Sequence, residues 1–259
     1  MLRTVNATRY VTPLREGGSL PAIIEADDDG TYVLKFRGAG QGPKALIAEL
    51  LAGELARALG LPVPELVFVE LAPVLARSEP DFEIQALLKA SAGLNLALDF
   101  LPGSLAFDPL LSPPPTPELA SRIVWFDAYV TNVDRTPRNT NMLLWHRRLW
   151  LIDHGAALYI HHREGPYAPR ARNPFPQIAE HVLLDRATAV AQADATARER
   201  LTPTVIRDVV GLIPEGWLRE GGFESAREHR EAYAAYLLTR LEASGVFVEE
   251  VQRARAQPV

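Results

Sequence analysis

The chain has no cysteine among its 259 residues, which excludes disulfides, thiolate metal sites and a cysteine nucleophile. The absence fits a reducing compartment, and a cytoplasmic protein is the expectation. No apolar run approaches the roughly 20 residues that a membrane span requires. Met1 is followed by Leu-Arg-Thr-Val-Asn, which lacks the apolar core of a signal peptide. Positive charge is in short supply. The formal net charge of -5 disfavours a broad nucleic-acid footprint, and no basic membrane-binding segment is present. Neither G-x-S-x-G nor G-x-x-x-x-G-K-[ST] occurs, which argues against a serine-elbow hydrolase and a P-loop nucleotide site. The six histidines form no metal-ligand pattern. His161 and His162 are adjacent and are expected on opposite faces of an extended chain; His181 and His229 are expected on solvated helices.

What remains is an ordinary globular composition, 47% hydrophobic and 23% charged, long enough for one large domain or two lobes with separate cores. The N-terminal part reads as strands. Residues 10–14 precede Glu16-Gly17-Gly18-Ser19, residues 20–24 lead to the turn Asp27-Asp28-Asp29-Gly30, and Tyr32 to Phe36 is a run of β-formers around Lys35. After a loop rich in glycine at 38–42, Lys44 to Leu59 carries leucines and isoleucine at helical spacing, with Gly60, Pro62 and Pro64 as the stop. Glu65 to Leu71 predicts another strand, and the apolar segment 96–101 is expected to link two lobes. Residues 109–117 are too proline-rich for a helix. Pro117 to Val130 predicts a helix, and the apolar runs on either side of His146-Arg147-Arg148 predict a β-hairpin. From about Phe175 the chain reads as helical, with breaks at Pro203, at Pro214 and around Gly221-Gly222. The expected architecture is α+β and two-lobed, with a β-rich lobe over 1–101 and a helical lobe over 102–259; the crevice between them is the expected nucleotide site.

The chemistry concentrates between Asn132 and Gly155. Asp134 is followed five residues later by Asn139, then by the hairpin, then by Asp153 ahead of His154-Gly155. Asp134 alone would pass for a solvated or turn residue, and Asn139 alone is equally bland. Together they match the needs of phosphoryl transfer from ATP. One carboxylate orients or accepts the proton of an attacking hydroxyl, while an amide oxygen and a second carboxylate hold magnesium. Asp153 ends an apolar strand, where an uncompensated carboxylate is costly and a cation would offset it. Asn141 competes with Asn139, since two residues along an extended segment face the same side. The five-residue offset from Asp134 favours Asn139.

Lys35 sits mid-strand in an apolar setting and is read as a contact to the α- and β-phosphates, held by a carboxylate from the next helix. Glu49 interrupts the apolar side of that helix and is the first candidate, with Glu54 behind it. Gly17, Gly18 and Ser19 form a turn one strand earlier whose N–H groups and hydroxyl could approach phosphate.

These residues resemble those of the HipA-like kinases, a bacterial branch related to phosphatidylinositol kinases and more distantly to protein kinases. The resemblance rests on Gly-Gly-Ser at 17–19, Tyr-Val-Leu-Lys-Phe at 32–36 and Ala-Glu-Leu-Leu-Ala-Gly-Glu-Leu-Ala-Arg-Ala-Leu-Gly-Leu-Pro-Val-Pro at 48–64. It continues with Asn-Val-Asp-Arg-Thr-Pro-Arg-Asn at 132–139 and Leu-Ile-Asp-His-Gly at 151–155. It implies ATP and magnesium as cofactors, Lys35 on the phosphates, Glu49 as its anchor, Asp134 as catalytic carboxylate, and Asn139 and Asp153 on the metal. It also points to protein Ser or Thr as acceptor, with a small-molecule hydroxyl or a nucleotide-binding pseudokinase as alternatives. Two departures stand out. The chain is shorter than toxin-type members, which carry an additional N-terminal subdomain, so an antitoxin-like partner is a weaker expectation. His154 replaces the phenylalanine of protein kinases, so a phenylalanine-flip switch is not expected.

Overall fold

The computed structural model describes residues 2–14, 20–40, 42–163, 165–219 and 222–257. Two compact units emerge. One comprises residues 1–50 and 64–103, the other residues 51–63 and 104–259.

The first unit is built on a closed five-stranded barrel. Strands β1 (Thr4–Pro13), β2 (Ala22–Ala26), β3 (Thr31–Lys35), β4 (Leu66–Leu71) and β5 (Gly93–Asp99) follow one another round it in the order β1-β2-β3-β5-β4. Only β1 and β4 are parallel. Alternation decides which side chains fill it: Ala22, Ile24 and Ala26 on β2, and Tyr32 and Leu34 on β3, point into one buried cluster with Val67 and Val69. Lys35 therefore projects from the opposite face of β3, together with Val33. Helix α2 (Phe82–Ala90) adds Ile84 and Leu88 to the core and starts where the Asp81 side chain accepts the N–H groups of Glu83 and Ile84. Residues 93–99, whose latter part was expected to link lobes, instead form β5, an inner strand between β3 and β4. Its run Leu96-Ala97-Leu98 is apolar because both of its faces are buried.

Helix α1 (Pro43–Ala58) carries the chain out of this unit, and residues 46–52 along it are all buried. In the second unit α3 (Pro117–Val130) is the central element, with every residue from Ile123 to Val130 buried. Thr116 caps its start and Pro117 occupies its first turn. It packs against α4 (Val190–Arg200), α6 (Ala226–Glu242) and α7 (Ser244–Ala256); α5 (Pro203–Gly211) lies against α6. Arg240, on α6 and 1% exposed, closes the C-terminal end of α3 by donating to the carbonyls of Ala128 (2.7 Å) and Tyr129 (2.8 Å). The last carbonyls of a helix have no partner of their own and present negative dipoles, so a guanidinium suits them. Between 175 and 190 the chain runs in short 3₁₀ turns rather than α-helix. No helix among the described residues is long and apolar enough to cross a membrane.

A small sheet, β6 (Leu105–Ala106), β7 (Met142–Trp145) and β8 (Arg148–Leu151), carries the predicted hairpin. Trp145 pairs with Arg148, and the two residues between them, His146 (φ 48°) and Arg147 (φ 62°), are both left-handed. That is the backbone of a type I′ turn, which glycine or asparagine adopts more readily than arginine. Arg147→Gly should therefore raise stability by roughly 1 kcal/mol in urea denaturation. A loss would show that the Arg147 side chain contributes more than its backbone costs.

Candidate active site

The loop expected to carry the chemistry begins where α3 stops. Thr131 turns left-handed (φ 52°), and Asn132 N–H bonds back to Asp127 O at 2.9 Å. The Asn132 side chain then works in two directions. Its Nδ2 donates to Asp127 Oδ1 (2.9 Å), and its Oδ1 accepts Asp134 N–H (3.2 Å). Beyond it, Thr136 and Asn139 exchange main-chain hydrogen bonds (3.0 and 3.2 Å) and close a tight turn. The turn brings Asn139 back onto Asp134: Asn139 Nδ2 donates to Asp134 Oδ2 at 2.8 Å. Asn141 Nδ2 donates to the same oxygen at 3.2 Å and to Asp134 O at 3.1 Å. Both candidate amides thus converge on one carboxylate. Asn141 O accepts Ile152 N–H at 3.0 Å, so the residue before Asp153 is fastened beside the loop. Asn141 (φ 47°) and Asp153 (φ 54°) are both left-handed, an uncommon state outside glycine that clusters at functional sites. His154, fully buried, packs edge-on against Phe126 with ring centroids 6.0 Å apart.

Sequence reasoning missed what holds this loop in place. Asp127, fully buried on α3, accepts Arg135 Nε at 2.6 Å and His181 Nε2 at 2.9 Å on the same oxygen. Arg135 is itself 1% exposed and donates from Nη1 to Asn141 O. Leu183 N–H donates to His181 Nδ1 at 3.0 Å, which leaves the proton of this imidazole on Nε2, facing the carboxylate. Burial alone would push the Asp127 carboxyl up. The Arg135 guanidinium and the His181 hydrogen bond more than offset that and hold it well below the usual carboxylate range. One signal was available: Asp127 interrupts the apolar run Ile123 to Val130, and a buried acid demands a cation. His181 and His229 are buried rather than on solvated faces. The expectation for His161 and His162 also fails. They lie in a 3₁₀ turn, not an extended chain, and their Nε2 atoms approach to 3.2 Å.

In the barrel unit, Lys35 Nζ lies 3.8 Å from Glu49 Oε2, with side chains 11% and 2% exposed. Glu54, the fallback partner, lies 3.5 Å from Arg57 instead. Gly17, Gly18 and Ser19 fall outside the described residues.

The residues that could hold a metal offer oxygen: the Asp153 carboxylate and the Asn139 amide, whose Nδ2 is engaged by Asp134. Among the described residues no three His, Cys, Asp or Glu side chains form a ready-made cage. A hard cation that completes its shell with phosphate and water oxygens suits such a set, and magnesium or manganese meets that description.

Asp127→Asn should cost about 3–5 kcal/mol by urea denaturation, because it strands the buried Arg135 charge. The depressed Asp127 carboxyl contributes stability that is full above its unfolded value near 4 and lost as pH falls toward the folded one. Wild type should therefore lose stability on acidification below about pH 4 more steeply than the variant. Parallel profiles would remove Asp127 from the account.

The model of a family described as HipA-like kinase matches residues 8–244. A comparison with curated protein sequences found no match. Among solved structures, a Helicobacter pylori proinflammatory kinase, CtkA, superposes with a TM-score of 0.54 at 11% identity, covering 98% of each chain. The Golgi casein kinase with Mn/ADP bound superposes with a TM-score of 0.57 at 12% identity, covering 98% of this chain and 75% of that one. Such identities establish the fold, while the family match spans most of the chain. Matched by that family model over residues 8–244 and folded as a two-lobed protein-kinase-like α+β structure, the chain belongs to the HipA-like kinase family and is an ATP-dependent kinase.

Proposed function

We propose that this kinase transfers the γ-phosphoryl group of ATP, with magnesium, to a Ser or Thr hydroxyl of a protein. The observation that carries the proposal is the direct bond from Asn139 Nδ2 to Asp134 Oδ2, which joins the two ends of D-x-x-x-x-N around one carboxylate. Asp134 orients the acceptor hydroxyl and takes its proton as the new O–P bond forms and the bond from the γ-phosphorus to the bridging oxygen breaks, releasing ADP. Two amide donors hold its carboxylate, and its main-chain N–H donates to Asn132 Oδ1, so it is fixed before substrate arrives. Asn139 and Asp153 hold the cation. Magnesium, when bound, offsets charge on the triphosphate. Lys35 meets the α- and β-phosphates, and Glu49 keeps its ammonium in place. Gly17, Gly18 and Ser19 would cover the phosphates. A protein acceptor is supported by membership of the HipA-like family.

Asp134→Asn should leave nucleotide binding nearly unchanged and lower turnover by roughly two to four orders of magnitude, read as ADP release and phosphate incorporation. A near-normal rate would take Asp134 out of the chemistry.

Asp153→Ala should abolish the rise in melting temperature that ATP gives only with magnesium. Comparison of Asn139→Ala with Asn141→Ala decides the amide ligand. The loss should be greater at 139; a greater loss at 141 would reassign the ligand, and an intact shift in Asp153→Ala would refute the metal assignment.

A further inference from the structure

A cavity of about 100 Å³ opens beside the catalytic loop, within the helical unit. Its wall includes Thr131 and Val133 of that loop, Arg163, Arg170 and Gln177 of the segment after Asp153, and Arg240 of α6. Three of the lining residues are arginines, and among the described residues no acidic side chain lines it. Arg240 lies at its buried side. Its guanidinium donates only to main-chain carbonyls, those of Ala128, Tyr129, Ala171 and Asn173, so dipoles rather than a carboxylate face its charge. Arg163 stands exposed at the mouth, its guanidinium 5.5 Å from the centroid of the Tyr159 ring.

The wall is also preformed. The segment bearing Arg163 is pinned on both sides: His161 Nδ1 lies 2.9 Å from Tyr233 Oη, and Tyr167 Oη lies 3.1 Å from His229 Nε2. Further along, the Arg240 bonds to the carbonyls of Ala171 and Asn173 (each 3.0 Å) hold the same segment to α6. A pocket lined by arginines, with no acidic side chain among its described lining residues, is suited to an anion. Its place relative to the chemistry narrows the ligand. Val133 lines the cavity and Asp134 is the next residue, their Cα atoms about 3.8 Å apart. An extended peptide advances about 3.3 Å per residue. The cavity wall and the candidate catalytic carboxylate are thus one residue apart in the chain, within the reach of a short peptide.

We propose that this cavity is an anion subsite for the phosphoryl acceptor. It takes a carboxylate or a phosphate carried by a residue close to the Ser or Thr that receives the phosphoryl group. The proposal rests on the protein-acceptor reading above, and the cavity makes it specific: the acceptor is an acidic or previously phosphorylated segment.

The test uses the full chain and Ser/Thr peptide libraries with Glu, phosphoserine, Ala or Lys fixed in turn at each position around the acceptor. Wild type should favour the anionic sets at one or two adjacent positions, on the order of tenfold in kcat/KM over alanine. The Glu and phosphoserine arms separate the two sources of the anion. Arg163→Gln should erase most of that ratio, and Arg163→Glu with Arg170→Glu should invert it toward lysine. Equal rates for all sets, or a preference untouched by these changes, would overturn the subsite. If wild type phosphorylates no peptide, the protein-acceptor reading fails first, and binding then decides the subsite. With ADP and magnesium saturating the nucleotide site, O-phosphoserine should bind saturably to wild type and about tenfold more weakly to the double variant. Absence of saturable binding, or equal binding by both, would sink the proposal on its own.

Discussion

The catalytic loop depends on one buried carboxylate. Asp127 gathers Arg135, His181 and the Asn132 amide around its two oxygens, inside a helix otherwise committed to apolar packing. Each partner reaches a different stretch of chain. Arg135 extends to Asn141 O and so to the hairpin, Asn132 reaches the Asp134 main chain, and His181 receives Leu183 N–H. A charge buried this deeply would be prohibitive alone and becomes a locating device when every lone pair is engaged. The position of Asp134 is in this sense inherited from α3, whose residues 123–130 are all buried.

Much of the fold was legible because periodicity and punctuation agreed. The helix at 117–130 announces itself by Thr116-Pro117 and its apolar run, and the hairpin by two apolar runs flanking a charged turn. The pair Lys35 and Glu49 was legible because each interrupts an apolar pattern. The errors share a cause. Residues 93–99 carry no sign of their partners, and a strand that is buried on both faces looks like a generic apolar segment. Asp127 and His181 lie 54 residues apart, and Asp127 sits 8 residues before Arg135, so nothing local discloses that they meet. The same rule that flagged Asp153 as an expensive buried acid applied to Asp127, which had the longer apolar surroundings.

Fold and substrate are recorded differently in this chain. At 11–12% identity to kinases of known structure, over 96–98% of its length, the likeness is one of architecture. Selectivity is then to be sought in the side chains themselves, such as those of the arginine-lined cavity beside Val133. Its floor is shared with the capping of α3, since Arg240 serves both.

Asn141 and Asp153 share a left-handed backbone and a place at the junction of loop and hairpin. Glycine tolerates that conformation best, with asparagine and aspartate behind it, yet glycine has no side-chain oxygen for a cation and no side-chain N–H for a neighbouring carboxylate. At these two positions the backbone and the chemistry narrow the alphabet together, to the two short side chains that end in an amide or an acid. Few other places in the protein leave so little latitude for drift.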